Sequence, residues 1–219
     1  MNMGSNDEQG VDEASKTYHH GNLPEALLRS ARELLQEEGL EALSLRAVAR
    51  RAGVSQAAPY HHFKDKITLM AAVAEQGHRE LATTCMEFYQ PDLPGYEGLL
   101  TMGVGYLTFA KENPELFRLM FGAELSHYHN TTEEAPFLDA LALSNKAIDD
   151  AVARAFDPEL MADRAKFETA KRAAWSIVHG MGTLIVDGRM ETPPTRTKAF
   201  MEFALSTFRV FDKRVFKRT

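Results

Sequence analysis

The stretch Ser44 to Phe63, SLRAVARRAGVSQAAPYHHF, sets a glycine between two short segments that each open on a serine. That order fits two helices joined by a tight turn. Ser44 supplies an N-cap oxygen ahead of apolar residues at Leu45, Val48 and Ala49, and Gly53 can take the left-handed backbone of a sharp exit. Val54 then pins the turn to a core, and Ser55 caps a second helix from Gln56 to about His62. The first turn of this second helix carries Gln56, Ala57 and Ala58, whose small or amide tips permit close approach to base edges in the major groove of DNA. Pro59 falls near that first turn, where a missing N–H is tolerated.

The chain has 219 residues, is 44% hydrophobic and carries a formal charge of -6, so it can bury a sizeable core but is not a general coat for nucleic acid. Charge acts locally, because the screening length is about 8 Å in physiological salt. Between Ser44 and Lys66 the basic residues Arg46, Arg50, Arg51, Lys64 and Lys66 face the single acid Asp65. Cys85 is the only cysteine, which excludes an intrachain disulfide and a Cys-based zinc site and fits a reducing cytoplasm. No apolar run approaches the roughly 20 residues of a membrane span, and the polar start lacks the regions of a signal peptide. A cytoplasmic chain with no membrane partner is expected.

Three segments are expected along the chain: an arm at 1–16 too polar to fold, a DNA-binding unit at 17–80, and a helical body at 81–214. Asn22 caps the first helix, with Pro24 in its first turn and Gly39 at its end; Leu34, Leu35, Leu43, Val48, Val54 and Phe63 form the shared core of a three-helix unit. Asp65 caps a long helix that runs through Phe88 and joins this unit to the body. Further helices are expected near 95–112, 114–127, 135–156, 158–189 and 195–213, and no alternating strand pattern occurs, so the fold class is all-α. The last two segments carry dense apolar faces. Their phenylalanines Phe200, Phe203 and Phe208 either fill the chain's own core or leave a stripe for a second copy.

With these residues in view, the chain resembles the TetR/AcrR family of transcriptional regulators across about residues 18–80, through the L-R-x-V-A-x-x-A-G-V-S core, the Y-x-H-F ending and the lysine that follows. Ala57 stands where many members have glycine. Further on, AWSIVHGMGTLIVDG is similar to a C-terminal subtype named for a Trp-His-Gly signature, here Trp175, His179 and Gly180. The resemblance implies a homodimer whose two DNA-binding units meet successive major grooves of a palindromic operator. It also implies a C-terminal bundle with a pocket for a small-molecule effector, and a repressor released by that effector.

Gln56 can hydrogen-bond an adenine edge and Ala57 can pack on a thymine methyl. Tyr60 and His61 reach phosphate or a flanking base, Arg46 a phosphate, and Ser44, Ser55 and Lys66 position the backbone. Arg50 and Arg51 are either phosphate contacts or a solvated face, while His62 and Phe63 pack or cap within the unit. Lys16, Tyr18, His19 and His20 either lean on the duplex or belong to a free end. Met102, Met120, Trp175 and His179 are effector candidates, against the plainer reading of core. Gly180 and Gly182 suggest a close helix crossing, with Gly180 at a dimer seam. The competing class is a metal-dependent helical enzyme built on the E-x-x-H pairs Glu75/His78 and Glu124/His127. Chance accounts for such pairs, so no metal, cofactor or catalytic residue is expected.

Overall fold

The computed structural model describes residues 22–215 apart from 94–95, 156–157 and 159–161. The expected arm, with Lys16, Tyr18, His19 and His20, lies outside them. Among the described residues every regular element is helical: α1 (Leu23–Glu38), α2 (Leu45–Ala52), α3 (Lys66–Phe88), α4 (Glu97–Glu112), α5 (Pro114–Phe121), α6 (Ala123–Thr131), α7 (Ala135–Ala155), α8 (Arg164–Val186) and α9 (Lys198–Val215), with 3-10 turns at Leu40–Ala42 and Ala58–His61.

Local chemistry sets the N-terminal elements. Asn22 caps α1 through the Glu25 N–H, Ser44 Oγ accepts from the Ala47 N–H at 3.2 Å, and Asp65 and Thr68 exchange side chain for backbone bonds at 2.9 and 3.1 Å to open α3. Gly53 takes φ +70, which lets the Val54 N–H turn back to Ala49 O at 3.0 Å. The apolar faces then close on one another: Leu27, Leu34 and Leu35 of α1, Leu43, Val48 of α2, Phe63 and Leu69 are all buried, with Val54 packed against them.

The second helix of the motif differs from expectation. In place of an α-helix over 56–62 there is a turn at Gln56–Ala57 followed by the single 3-10 turn Ala58–His61. Proline is the reason. If Ser55 were the N-cap, residue 59 would be the first whose N–H closes an α-type ring onto Ser55 O, and Pro59 has none. Ser55 O accepts instead from the Ala58 N–H at 3.0 Å, and the 3-10 pattern continues with Tyr60 N–H to Ala57 O. The N-cap of this turn is Ala57, without a side-chain bond, so Ser55 does not serve as the expected cap.

Helix α3 has 23 residues, about 35 Å at the α-helical rise, and is shared by both units. A division at residue 80 therefore falls inside it. In the body, α4 is enclosed by α3, α7, α8 and α9. Gly105 makes the closest crossing: a Cβ there would stand 2.7 Å from Thr84 O and 2.8 Å from Cys85 Cα. The segment expected to be one helix over 114–127 breaks at Gly122, where the chain lies so near Arg118 O that a Cβ would meet it at 2.5 Å. Helix α8 begins later than expected, at Arg164, because the Asp163 carboxylate accepts from the Ala165 and Lys166 N–H groups.

Halfway along α3, His78 is only 1% exposed, edge-on to Phe121 and Phe137, with its ring 6.0 Å from that of His129. Neither of its nitrogens has a partner. Burial, and after it the neighbouring His129, pushes its pKa down to about 4.

Candidate nucleic-acid interface and internal cavity

On the motif's outer side, Gln56, Ala57, Tyr60 and His61 are exposed, Tyr60 to 52%, while Pro59 and Phe63 beneath them are buried. Arg46 projects from the same unit and is exposed. Lys66 opens α3 with Nζ 3.4 Å from Leu40 O. Ser55 is exposed, whereas the Ser44 oxygen is already engaged by its helix and keeps its O–H to offer. Of the two readings for His62, capping holds rather than packing: its side chain is exposed, and it is the C-cap of the 3-10 turn, its N–H donating to Pro59 O at 3.0 Å.

Arg51 departs from the charge reading. Its guanidinium bonds Glu37 at 2.6 Å and Glu33 at 3.2 Å and lies 3.9 Å from Glu38, so it clamps α2 to α1 and its charge is satisfied inside the unit. Hydrogen bonds to Glu37 and Glu33 hold its pKa above the usual arginine value. Arg50 remains exposed. The run of acids Glu33, Glu37 and Glu38 on α1 was the sequence signal for this clamp.

A second feature lies at the far end of α3. A cavity of about 90 Å³ is bounded by thirteen residues, among them Cys85 of α3, Leu99, Met102 and Tyr106 of α4, Ile148 of α7, Ala174, Trp175 and Val178 of α8 and Phe208 of α9. Of the effector candidates, Met102 and Trp175 line it. His179 stands behind: it stacks on Trp175 with centroids 4.7 Å apart, and its Nδ1 is 2.9 Å from Tyr106 Oη. Met120 does not reach the cavity; it is fully buried against α3, where a Cβ on Gly77 would touch its sulfur. Sequence periodicity missed Cys85, Tyr106 and Phe208, which come together only through the crossing of α3, α4 and α9. Burial pushes the Cys85 thiol up to about 12 and the Tyr106 hydroxyl well above its ordinary value.

The dimer candidates divide. Phe200 is wholly buried and Phe208 nearly so within the chain, so neither offers surface to a second copy; both belong to the core alternative. Phe203 is half-buried, and Gly180 is exposed with open space around it. The close crossing expected at the two glycines is made by Gly182, whose Cβ position lies 3.3 Å from Phe117 and 3.4 Å from Tyr106. Around Gly180, α8 also exposes Trp175 (40%) and Leu184 (39%).

The E-x-x-H pairs do not converge. The Glu75 carboxylate bonds Arg79 at 3.2 Å while His78 is enclosed by aromatic rings, and no group of three or more His, Cys, Asp or Glu among the described residues is arranged to hold a metal ion. No described helix is long and apolar enough to cross a membrane.

A helix-turn-helix head carried on an all-helical, cavity-bearing body defines a DNA-binding regulator. Residues 27–73 match the family described as "Bacterial regulatory proteins, tetR family", and residues 99–208 match "Tetracyclin repressor-like, C-terminal domain". The chain belongs to the TetR family of transcriptional regulators, which are not enzymes. It is 51% identical over 51 residues to the tetracycline repressor protein class C of Escherichia coli, a match covering 23% of each chain, and 34% identical over 83 residues to the transcriptional regulator AcrR of Shigella flexneri, covering 38% of this chain and 35% of that one. The matched stretch thus spans about a quarter to a third of these relatives. Whole-length likeness comes from structures: a protein of unknown function from Rhodococcus sp. RHA1 (TM-score 0.64, 28% identity, covering 89% of this chain and 97% of that one) and the TetR family regulator PfmR from Thermus thermophilus (TM-score 0.57, 20% identity, covering 88% and 96%).

Proposed function

We propose that the chain is an effector-released repressor that binds a palindromic operator as a homodimer in the cytoplasm, with a DNA-binding unit over 17–80 and an effector-binding and dimerisation unit over 81–214. The observation that carries this reading is the display of Gln56, Ala57, Tyr60 and His61 outward over buried Pro59 and Phe63. Gln56 and Ala57 contact bases; Tyr60 and His61 contact phosphate or a flanking base, and Arg46, Lys66, Ser44 at the start of α2 and Ser55 in the turn contact the backbone. The outer face of α8 around Trp175, Gly180 and Leu184, with Phe203 of α9, supports pairing with a second copy, and such a pair sets the two heads about 34 to 36 Å apart for successive grooves. Helix α3 supports release, since it carries Lys66 at one end and the cavity residue Cys85 toward the other. The Trp175, His179 and Gly180 triplet supports assigning the body to the Trp-His-Gly subtype.

The test is a mobility shift on the DNA upstream of the chain's own gene over a range of salt. Binding by the parent and its loss in a Tyr60→Ala, Lys66→Ala double variant is expected. Full affinity in that variant, or no shift by the parent under any condition, overturns the reading, the latter in favour of a small-molecule binding module.

A further inference from the structure

The cavity wall says what kind of molecule it can take. Of the thirteen residues that bound it, none is Asp, Glu, Lys, Arg or His. Its polar side-chain groups are the Tyr96 and Tyr106 hydroxyls, the Cys85 thiol and the Trp175 indole N–H, and burial raises the pKa of Cys85 and Tyr106 further above physiological pH. The acids and arginine next to the wall in sequence are consumed by ion pairs, and His179, next to Val178 and stacked on Trp175, has its pKa lowered by burial toward the neutral form. Glu97, next to Tyr96, pairs with Arg209, next to Phe208, at 2.8 Å, and Asp149, next to Ile148, pairs with Lys171, one turn before Trp175, at 2.6 Å. An ionised ligand would therefore surrender its hydration for no counter-charge, which disfavours it strongly against a neutral one of the same shape.

The wall is also aromatic. Tyr96, Tyr106, Trp175 and Phe208 contribute four rings, and Phe208 lies against α4 only because residue 103 is glycine, where a Cβ would stand 2.8 Å from the ring. Trp175 is 40% exposed at the boundary in the single chain, so one side of the space opens toward the α8 face proposed for pairing. A closed apolar cavity of roughly 150 Å³ binds benzene. At about 90 Å³ with an open side, this one admits a single ring whose remainder sits in the opening.

We infer that the effector is a compact, uncharged aromatic molecule of one ring, held by the ring-lined wall between α4, α8 and α9. Tyr106 Oη, 2.9 Å from His179 Nδ1, offers the site a neutral polar anchor. The inference rests on the reading of this cavity as the effector site of a DNA-binding repressor.

Trp175 is the only tryptophan in the chain, so its emission reports on this wall and on the α8 face beside it. Excited at the red edge of its absorption, the full-length protein is titrated with three probes matched in shape: para-cresol (neutral), para-toluate (anion) and para-methylbenzylammonium (cation). Expected is a saturable change with para-cresol and apparent affinities at least about tenfold weaker for both ions. In an Ala174→Leu variant, which narrows the cavity from α8, the para-cresol response should become non-saturable while the shift of upstream DNA persists. Equal affinities for the three probes, no saturable para-cresol response, or an unchanged response in a folded Ala174→Leu variant would overturn the inference. If that variant does not fold, the three-probe comparison on the parent decides alone. A parent that shifts DNA but shows no preference for para-cresol refutes only the ligand class, whereas one that binds para-cresol and never shifts DNA refutes the regulator.

Discussion

The two ends of α3 enter regions that are held together differently. In the head, each helix end is settled from within four residues by Asn22, Gly39, Ser44, Gly53 or Asp65. In the body, the decisive contacts join segments distant in sequence: Gly105 against Thr84 and Cys85, Gly77 under Met120, Gly103 under Phe208, Gly182 beside Phe117. A cap contributes about 1 kcal/mol and its loss leaves the neighbours in place. Filling a crossing pushes whole helices apart, which costs more. The head's helix ends are thus set by small independent terms, and the body's crossings by a few large ones.

Gly105→Ala tests the large terms most severely. Its methyl would meet backbone rather than a pliable side chain, so the stability measured by urea unfolding should fall by upwards of about 3 kcal/mol. A loss below that of a cap variant would break the contrast between the regions.

His78, at the middle of α3, gives the next effect. Its folded pKa of about 4 lies below the ordinary 6.5, so the unfolded chain takes up the proton first as pH drops. The stability it supports is complete above about pH 6.5 and declines as pH falls toward 4; between about pH 7.5 and pH 5 the loss is about 2 kcal/mol. Urea unfolding at the two pH values should show this loss shrinking in His78→Leu, with undiminished stability at the higher pH.

Ser44→Ala should cost about 1 kcal/mol in the same assay and nothing from the body. The smallest effect separates two arginines of α2. Removing exposed Arg46 should lower the salt dependence of DNA binding by about one in slope, while Arg51→Ala, whose charge is bound to Glu33 and Glu37, should leave the slope unchanged. Equal slopes would return Arg51 to the interface.

The same contrast explains what the sequence disclosed. Helix ends in the head were legible because Asn22, Ser44, Gly53 and Asp65 act on their immediate neighbours, and the long helix through Phe88 followed from its cap and apolar spacing. The 3-10 turn at Ala58–His61 was not, although its cause is local: the consequence of Pro59 depends on counting which N–H would have closed the first ring. Phe200 and Phe208 looked alike with Phe203 in sequence, and only the position of α4 decides that two are enclosed and one is half open. The cavity was half visible. Met102 and Trp175 carried a signal in residue type, while Cys85 and Tyr106 acquire their place from a crossing that no spacing within one helix encodes.

Pro59 and Phe63 hold the motif from below while Gln56, Ala57, Tyr60 and His61 face outward from it. Anchoring and recognition are therefore assigned to different letters of one short word. On the proposed reading, rewriting Gln56 and Ala57, the two base-contacting positions, would retarget the protein to another operator without touching those foundations.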